Sequence, residues 1–305
     1  MNISGFNLTD KDKIRIAGAL VLGVGLALNE RLLGRLFSPD GVIENARLLW
    51  LIRIAQMGGI AGGLACLSLP GCVQQWGRAG FTGLEHLFGS PARVVGLAIV
   101  LGLVLRGGMI AAKPSITHDE AYAYLAATGH QGEYLRTMAE RTAPYGRWTE
   151  VAEWKRFVSI QDPFPLRRIA ADLAAHDIHP PLYFWLLHVF AFLWGLTACT
   201  GPVLNGLMFP LSVLALYALA RRALGEDPPA AAASFIWAMS PAVLYLTPRG
   251  RPYELFALLT ILFGWQLFRH LDRGESQRWY DYAALAGTTA CGLLTHYHFG
   301  IVAAG

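Results

Sequence analysis

Apolar runs of about twenty residues recur along this chain, and they limit its possible folds more than any other feature. A helix of that length matches the thickness of a bilayer's hydrocarbon core. The runs fall at residues 14–36, 48–69, 94–112, 181–198, 203–220, 230–248, 253–270 and 283–304. The composition agrees, since 54% of the 305 residues are hydrophobic and 15% are charged. An average soluble domain is nearer about a quarter charged. We therefore expect an all-α polytopic membrane protein with about eight spans and membrane lipids as its surroundings. The net charge of +4 is small and scattered, which argues against nucleic acid as a partner.

The joints and flanks add detail. Lys11, Lys13 and Arg15 precede the first run, and no small-x-small cleavage site follows it. That pattern reads as a retained signal anchor with a cytoplasmic N-terminus. In the second run, Gly58, Gly59, Gly62 and Gly63 give the spacing that lets membrane helices approach closely. Arg53 in the same run is expected to snorkel. Cys66, Cys72, Cys199 and Cys291 form no Cys-x-x-Cys pair, so neither a disulfide framework nor a zinc site follows from them.

Between residues 113 and 178 the chain turns polar and cannot cross a bilayer. It still carries helical periodicity. Leu166, Ile169, Ala170, Leu173 and Ala174 share one face opposite Arg167, Arg168 and Asp172, and Val151, Trp154 and Val158 repeat similarly. Short amphipathic helices lying on the membrane surface fit this pattern. The chain divides into an N-terminal extension, 1–93, with two candidate spans, and a second domain, 94–305, that contains the external loop 113–178. Topology is contradictory on simple alternation. Arg221-Arg222 and the charged joint 269–281 read as cytoplasmic, whereas alternation from an internal N-terminus puts 221–229 outside. A re-entrant 181–198, or an N-terminal pair that is not two full spans, would remove the conflict. The last run reaches Gly305 with no polar flank, which suggests a piece of a longer protein.

Four motifs carry the chemistry. Asp119-Glu120 opens the polar segment; one carboxylate is suited to take a proton while the other orients the reactants or binds a metal, and the competing reading is a polar helix entry capped by Asp119. His179-Pro180-Pro181-Leu182-Tyr183 begins a span, and His179 and Tyr183, four apart, can share a face. Arg249-x-Arg251-x-Tyr253 lies at a junction, where two arginines suit a phosphate or anchor at headgroups. Thr295-His296-Tyr297-His298 interrupts the last run. His-x-His is not a same-face helical spacing, so a metal held there would need non-helical backbone, and bonding to a hydroxyl or phosphate is the better reading.

Taken in order, these motifs and spans resemble the GT-C membrane glycosyltransferases. The likeness is to the bacterial relatives of the protein O-mannosyltransferases, the aminoarabinose transferases and the Rgt-type lipopolysaccharide sugar transferases, over about residues 94–305. The resemblance implies a GT-C-like transmembrane helix bundle with a long first external loop, in a multi-pass protein of the inner (plasma) membrane. It implies inverting transfer of a sugar from a polyprenyl-phosphate-linked donor to a lipid, glycan or protein hydroxyl, on the non-cytoplasmic face. Asp119 would be the base, and Glu120 would orient the acceptor or the base. His179, Tyr183, Arg249, Arg251, Tyr253, His296 and Tyr297 would bind substrate. No cofactor and no metal site are implied, although relatives vary in metal use. The competing readings are a transporter or flippase of a lipid-linked sugar, for which matched broken halves are not seen, and a non-catalytic membrane assembly protein that uses the loop as a platform.

Overall fold

The computed structural model describes residues 46–72, 90–113, 115–273 and 278–304, with isolated positions between 9 and 22. Most of the expected span 14–36 lies outside the described residues, as do Lys11, Lys13 and part of the charged joint 269–281. Among the described residues every regular element is helical. In chain order the helices are α1 (Ala46–Ser68), α2 (Pro91–Ala111), α3 (His118–Thr128), α4 (Gln131–Ala139) and α5 (Val151–Lys155), which continues as a 3-10 turn. Next come α6 (Leu166–His176), α7 (Leu182–Trp194), α8 (Thr200–Leu224), α9 (Asp227–Met239) and α10 (Pro241–Leu246), which runs into a 3-10 turn at Thr247–Arg249. Last are α11 (Tyr253–Arg273), α12 (Trp279–Thr295) and α13 (Phe299–Ala304).

By length and composition, α2 and α8 can cross a membrane, and α9 with α10, bent by 44°, makes a third if the pair is one span. The runs 253–270 and 283–304 depart from uninterrupted spans for local reasons. In α11 the apolar run is diluted by Glu254, Gln266, Arg269 and His270. The run 283–304 is split where α12 ends at Thr295 and the chain turns through 296–298.

The chain forms two compact units, residues 1–91 with 220–229 and residues 92–219 with 230–305. In the first unit the glycine pattern has a specific use. A Cβ at Gly63 would stand 2.6 Å from the Cβ of Leu22, and one at Gly18 would stand 2.5 Å from that of Cys66. Gly58 and Gly62 face open space. Close approach therefore rests on Gly63 and Gly18.

The second unit is built around one apolar core. Tyr124 and Ala127 of α3, Ile169 and Leu173 of α6, Phe184 and Leu187 of α7, Leu204 of α8 and Leu258 of α11 all meet there. The segment 113–178 is thus a folded cap, and the apolar stripe of α6 is covered by protein. This corrects the expectation of helices lying on the membrane surface. In the stretch 151–158 the expected phase also fails. Val151 is exposed and Phe157 is buried, because α5 lasts five residues before the tighter 3-10 turn rotates the face.

Arg106, which breaks the apolar run of α2, is fully buried. Its guanidinium lies 3.5 Å over the Phe209 ring. Its Nε donates to Thr247 Oγ1 (3.0 Å), and Nη1 reaches the carbonyls of Gly102 and Ala238 (3.2 and 3.3 Å). Thr247 in turn donates to Glu254 Oε2 (3.1 Å). A buried charge persists only where it is paired and hydrogen-bonded, so Arg106 pins α2 to the turn that precedes α11.

The helix α7 also departs from expectation. Its 13 residues span about 20 Å, short of the roughly 30 Å hydrocarbon core. Both of its ends are held beside α3. Ahead of it, His179 bonds Arg251, which bonds the Asp119 carbonyl. Behind it, the Ala198 carbonyl accepts from Tyr124 Oη (3.2 Å) and Lys113 Nζ (3.3 Å), and Gly201 N–H donates to Tyr124 Oη (3.2 Å). The helix is thus shorter than the candidate membrane spans, and both flanks of 181–198 are held beside α3.

Candidate active site

The start of α3 is fixed by a capping box. Glu120 N–H donates to Thr117 Oγ1 (3.4 Å), and Glu120 Oε2 accepts from Thr117 N–H (2.8 Å) and Oγ1 (2.9 Å). These bonds satisfy helix donors that otherwise lack partners. The other Glu120 oxygen, Oε1, is ion-paired with Lys113 Nζ in a buried setting. Glu120 is completely buried with both oxygens engaged. The cap is therefore Thr117, and Asp119 is released from that duty. Its side chain is 65% exposed, and His118 Nδ1 lies 3.9 Å from its Oδ1.

Asp119 opens onto a cleft of about 580 Å³, within the range of small-molecule sites. His118 and Tyr122 line it beside Asp119, Gln131 and Leu135 come from α4, and Ala175 and His176 from the end of α6. Asp177, Ile178, His179 and Arg251 close the other side. The Arg251 turn is brought against α3 by two glycines. A Cβ at Gly201 would stand 2.7 Å from Gly250 Cα, and Gly250, at φ +49°, lies beside Glu120. Only glycine adopts that left-handed conformation without strain.

A chain of hydrogen bonds runs along the cleft. Gln131 Nε2 donates to Asp177 Oδ2 (3.0 Å), and Asp177 Oδ1 meets His179 Nδ1 (2.6 Å). His179 Nε2 meets Arg251 Nη2 (3.3 Å), and Arg251 Nη1 donates to the Asp119 carbonyl (3.2 Å). A guanidinium only donates and a carboxylate only accepts. For Nε2 to accept from Arg251, the His179 proton sits on Nδ1, facing Asp177. Burial pushes the Asp177 carboxyl upward, but the hydrogen bonds from His179 and Gln131 outweigh it and hold the group at about 2. Arg251 is largely buried, and its own carbonyl accepts from Asn205 Nδ2 (3.1 Å).

Of the residues singled out from sequence, Asp119, His179 and Arg251 meet at this cleft, and Glu120 underpins it. The His296 ring lies 5.6 Å from that of His179 and 6.4 Å from that of Tyr253, so both stand behind His179 and outside the cleft lining. Tyr183 is wholly buried in the core. Arg249 turns aside, stacked on Tyr245 (4.1 Å) and bonded to its hydroxyl. Tyr297 is exposed. The backbone at 296–298 is non-helical, with His296 at φ −159°, ψ 131°, and the two Nδ1 atoms of His296 and His298 are 2.9 Å apart. Among the described residues no group of three or more histidine, cysteine or acidic side chains is arranged to hold a metal ion. Sequence reasoning missed Asp177, Gln131 and Lys113. The Asp-x-His spacing at 177–179 was the available signal for the first, and nothing local marked the other two.

Residues 178–305 match the family model for dolichyl-phosphate-mannose-protein mannosyltransferases. Over that segment the chain is similar to the GT-C membrane glycosyltransferases. No curated protein and no solved structure matches it. The matched segment contains His179, Arg251 and His296 and leaves out Asp119, which the fold brings to the same cleft as His179 and Arg251, and the buried Glu120 next to it. The mannosyltransferase-like match and the apolar helices together mark a membrane transferase.

Proposed function

We propose that this chain transfers a sugar from a polyprenyl-phosphate-linked donor to an acceptor hydroxyl, with Asp119 as the general base. The observation that carries the reading is the placement of the uncapped Asp119 carboxylate on the same cleft as Arg251, whose guanidinium is tied to the Asp119 backbone. The acceptor O–H gives its proton to Asp119, and its oxygen attacks the anomeric carbon from the face opposite the phosphate. The bond from that carbon to the phosphate oxygen breaks, and the departing charge falls to Arg251. His296 backs His179 and Tyr253 lies against His296, and Glu120 holds the base from beneath. In this arrangement Tyr183, Arg249 and Tyr297 are assigned no contact with the reacting atoms.

The helix order supports a non-cytoplasmic site in a multi-pass protein of the plasma membrane. With 181–198 not counted as a crossing, alternation from an external cap through α8 and the α9–α10 pair places 221–229 inside and the Arg251 turn outside. The basic Arg221-Arg222 then falls on the cytoplasmic side, as its charge favours.

The test is transfer of radiolabel from polyprenyl-phosphate sugars into glycan, lipid or protein fractions of membranes that carry the wild type or Asp119→Asn. Loss of a general base costs about 10²–10⁴-fold. Stability should stay within about 0.5 kcal/mol, because the side chain is exposed and caps nothing. Undiminished transfer by Asp119→Asn would remove the mechanism. Donor that binds but never turns over in the wild type would favour the transporter reading.

A further inference from the structure

Resting on that reading, we propose that Asp177 is a positioning residue for the donor site, acting through His179 to aim Arg251 across the cleft. The Arg251 guanidinium is split between two acceptors, the Asp119 carbonyl and His179 Nε2. The first is fixed by the capped helix. The second exists only while His179 keeps its proton on Nδ1 and its ring plane toward Arg251. Asp177 supplies both conditions, since its Oδ1 accepts that proton at 2.6 Å while Gln131 holds Oδ2 at 3.0 Å. Both side chains are nearly buried, at 12% and 11% exposed for Asp177 and His179, so water competes little for these bonds. The ring is further held edge-on to Phe184 (6.3 Å) and His296 (5.6 Å).

Asp177 has a second job that has to be separated from this one. Its Oδ1 also accepts the backbone N–H groups of Ile178 (2.7 Å) and His179 (3.1 Å), which shapes the turn ahead of Pro180-Pro181. Those bonds do not involve the imidazole. A purely structural Asp177 would therefore matter equally whether or not position 179 carries a histidine, whereas a relay would not. Asp177→Asn retains an acceptor for Nδ1–H, and the unpaired Gln131 Oε1 can turn to meet the new amide.

The experiment is a double-mutant cycle on the full chain in membranes, with radiolabelled mannosyl-phospho-polyprenol as donor and the wild-type transfer rate as reference. Misaiming a substrate-clamping group costs on the order of 10²-fold. Asp177→Ala and His179→Phe should each lower donor kcat/KM by about that factor, chiefly through KM. The double variant should be no worse than either single, and Asp177→Asn should stay within a few-fold of wild type. Additive losses would overturn the relay and leave Asp177 as a turn residue. Should Asp177→Ala fail to accumulate in membranes, His179→Phe, whose ring fills the same hollow, carries the test alone: an unchanged donor KM sinks the idea. A wild type that transfers no label defeats the transferase reading itself. A wild type that transfers while the variants behave additively defeats only this inference.

Discussion

The buried pair of Lys113 and Glu120 gives the sharpest test of how the cleft is held. Replace Lys113 by Met. The lysine side chain is 9% exposed and the glutamate 0%, so the substitution strands a carboxylate in a site from which water is excluded. It also removes the bond from Nζ to the Ala198 carbonyl, which anchors the end of α7. Breaking a buried ion pair by deleting one partner costs about 3–5 kcal/mol, most of it the penalty of the charge left behind. In a body of about two hundred residues, each kcal/mol moves the midpoint by about 2–4 °C, so Tm should fall by about 6–20 °C. Thermal unfolding of the detergent-purified protein measures this directly. The decisive comparison adds Glu120→Gln. Glutamine still completes the capping box and removes the stranded charge, so Lys113→Met with Glu120→Gln should recover at least half of the lost midpoint. A Lys113→Met variant that melts within about 2 °C of wild type would show that the pair carries no such weight. So would a double variant whose loss is the sum of the singles, since residues in direct contact should couple.

Two further outcomes follow from the packing and the charges. Gly201→Ala places a methyl group 2.7 Å from Gly250 Cα and should push the Arg251 turn off α3, lowering transfer at least about tenfold. Gly206→Ala, one and a half turns along the same helix with nothing within 4 Å, should leave transfer unchanged; equal effects in the two variants would refute the close approach. For pH, the Asp177 carboxyl sits near 2 in the folded protein against 3.8 ordinarily. A depressed folded value means that the stabilisation is complete above about pH 4 and is lost as pH falls through 2. The difference in Tm between wild type and Asp177→Asn should therefore be flat from pH 5 to 8 and shrink only below pH 4, and a step near pH 6 would contradict it.

What the sequence revealed depended on whether a local pattern had a local cause. Asp119-Glu120 stood out because two acids follow an apolar run, yet their division of labour did not. It is set by Thr117, which takes the cap, and by Lys113, seven residues before Glu120, whose partner only the folded turn reveals. The α6 stripe was readable at Ile169 and Leu173 because helical periodicity reports an apolar face, but not what covers that face. Periodicity cannot distinguish a lipid headgroup layer from the flanks of α3 and α7. Arg106 looked like an interruption of a span because its partners, Thr247 and the Ala238 carbonyl, lie more than 130 residues away.

Among the described residues two or three helices are long and apolar enough to cross a membrane, and the run 181–198 is not one of them for a related reason. Hydropathy sees that 181–198 is apolar, and α7 is indeed almost wholly apolar, but a buried core helix and a short membrane helix have the same composition. Length was the available discriminator: 13 helical residues end at Gly195, where φ is +84°, and the bonds from Tyr124 and Lys113 to the Ala198 carbonyl then close the excursion. Those same bonds bring the start of α8 back beside α3. The cleft needs that return, because Gly201 at the head of α8 is the surface on which the Gly250 turn rests, and the Gly250 turn delivers Arg251 to Asp119. A chain in which 181–198 crossed the bilayer would put Gly201 on the opposite side from Asp119 and leave Arg251 without its seat. The short α7 and the assembled cleft are therefore one structural fact, and an experiment that places residues 195–199 on the opposite side of the membrane from residue 119 would dismantle both together.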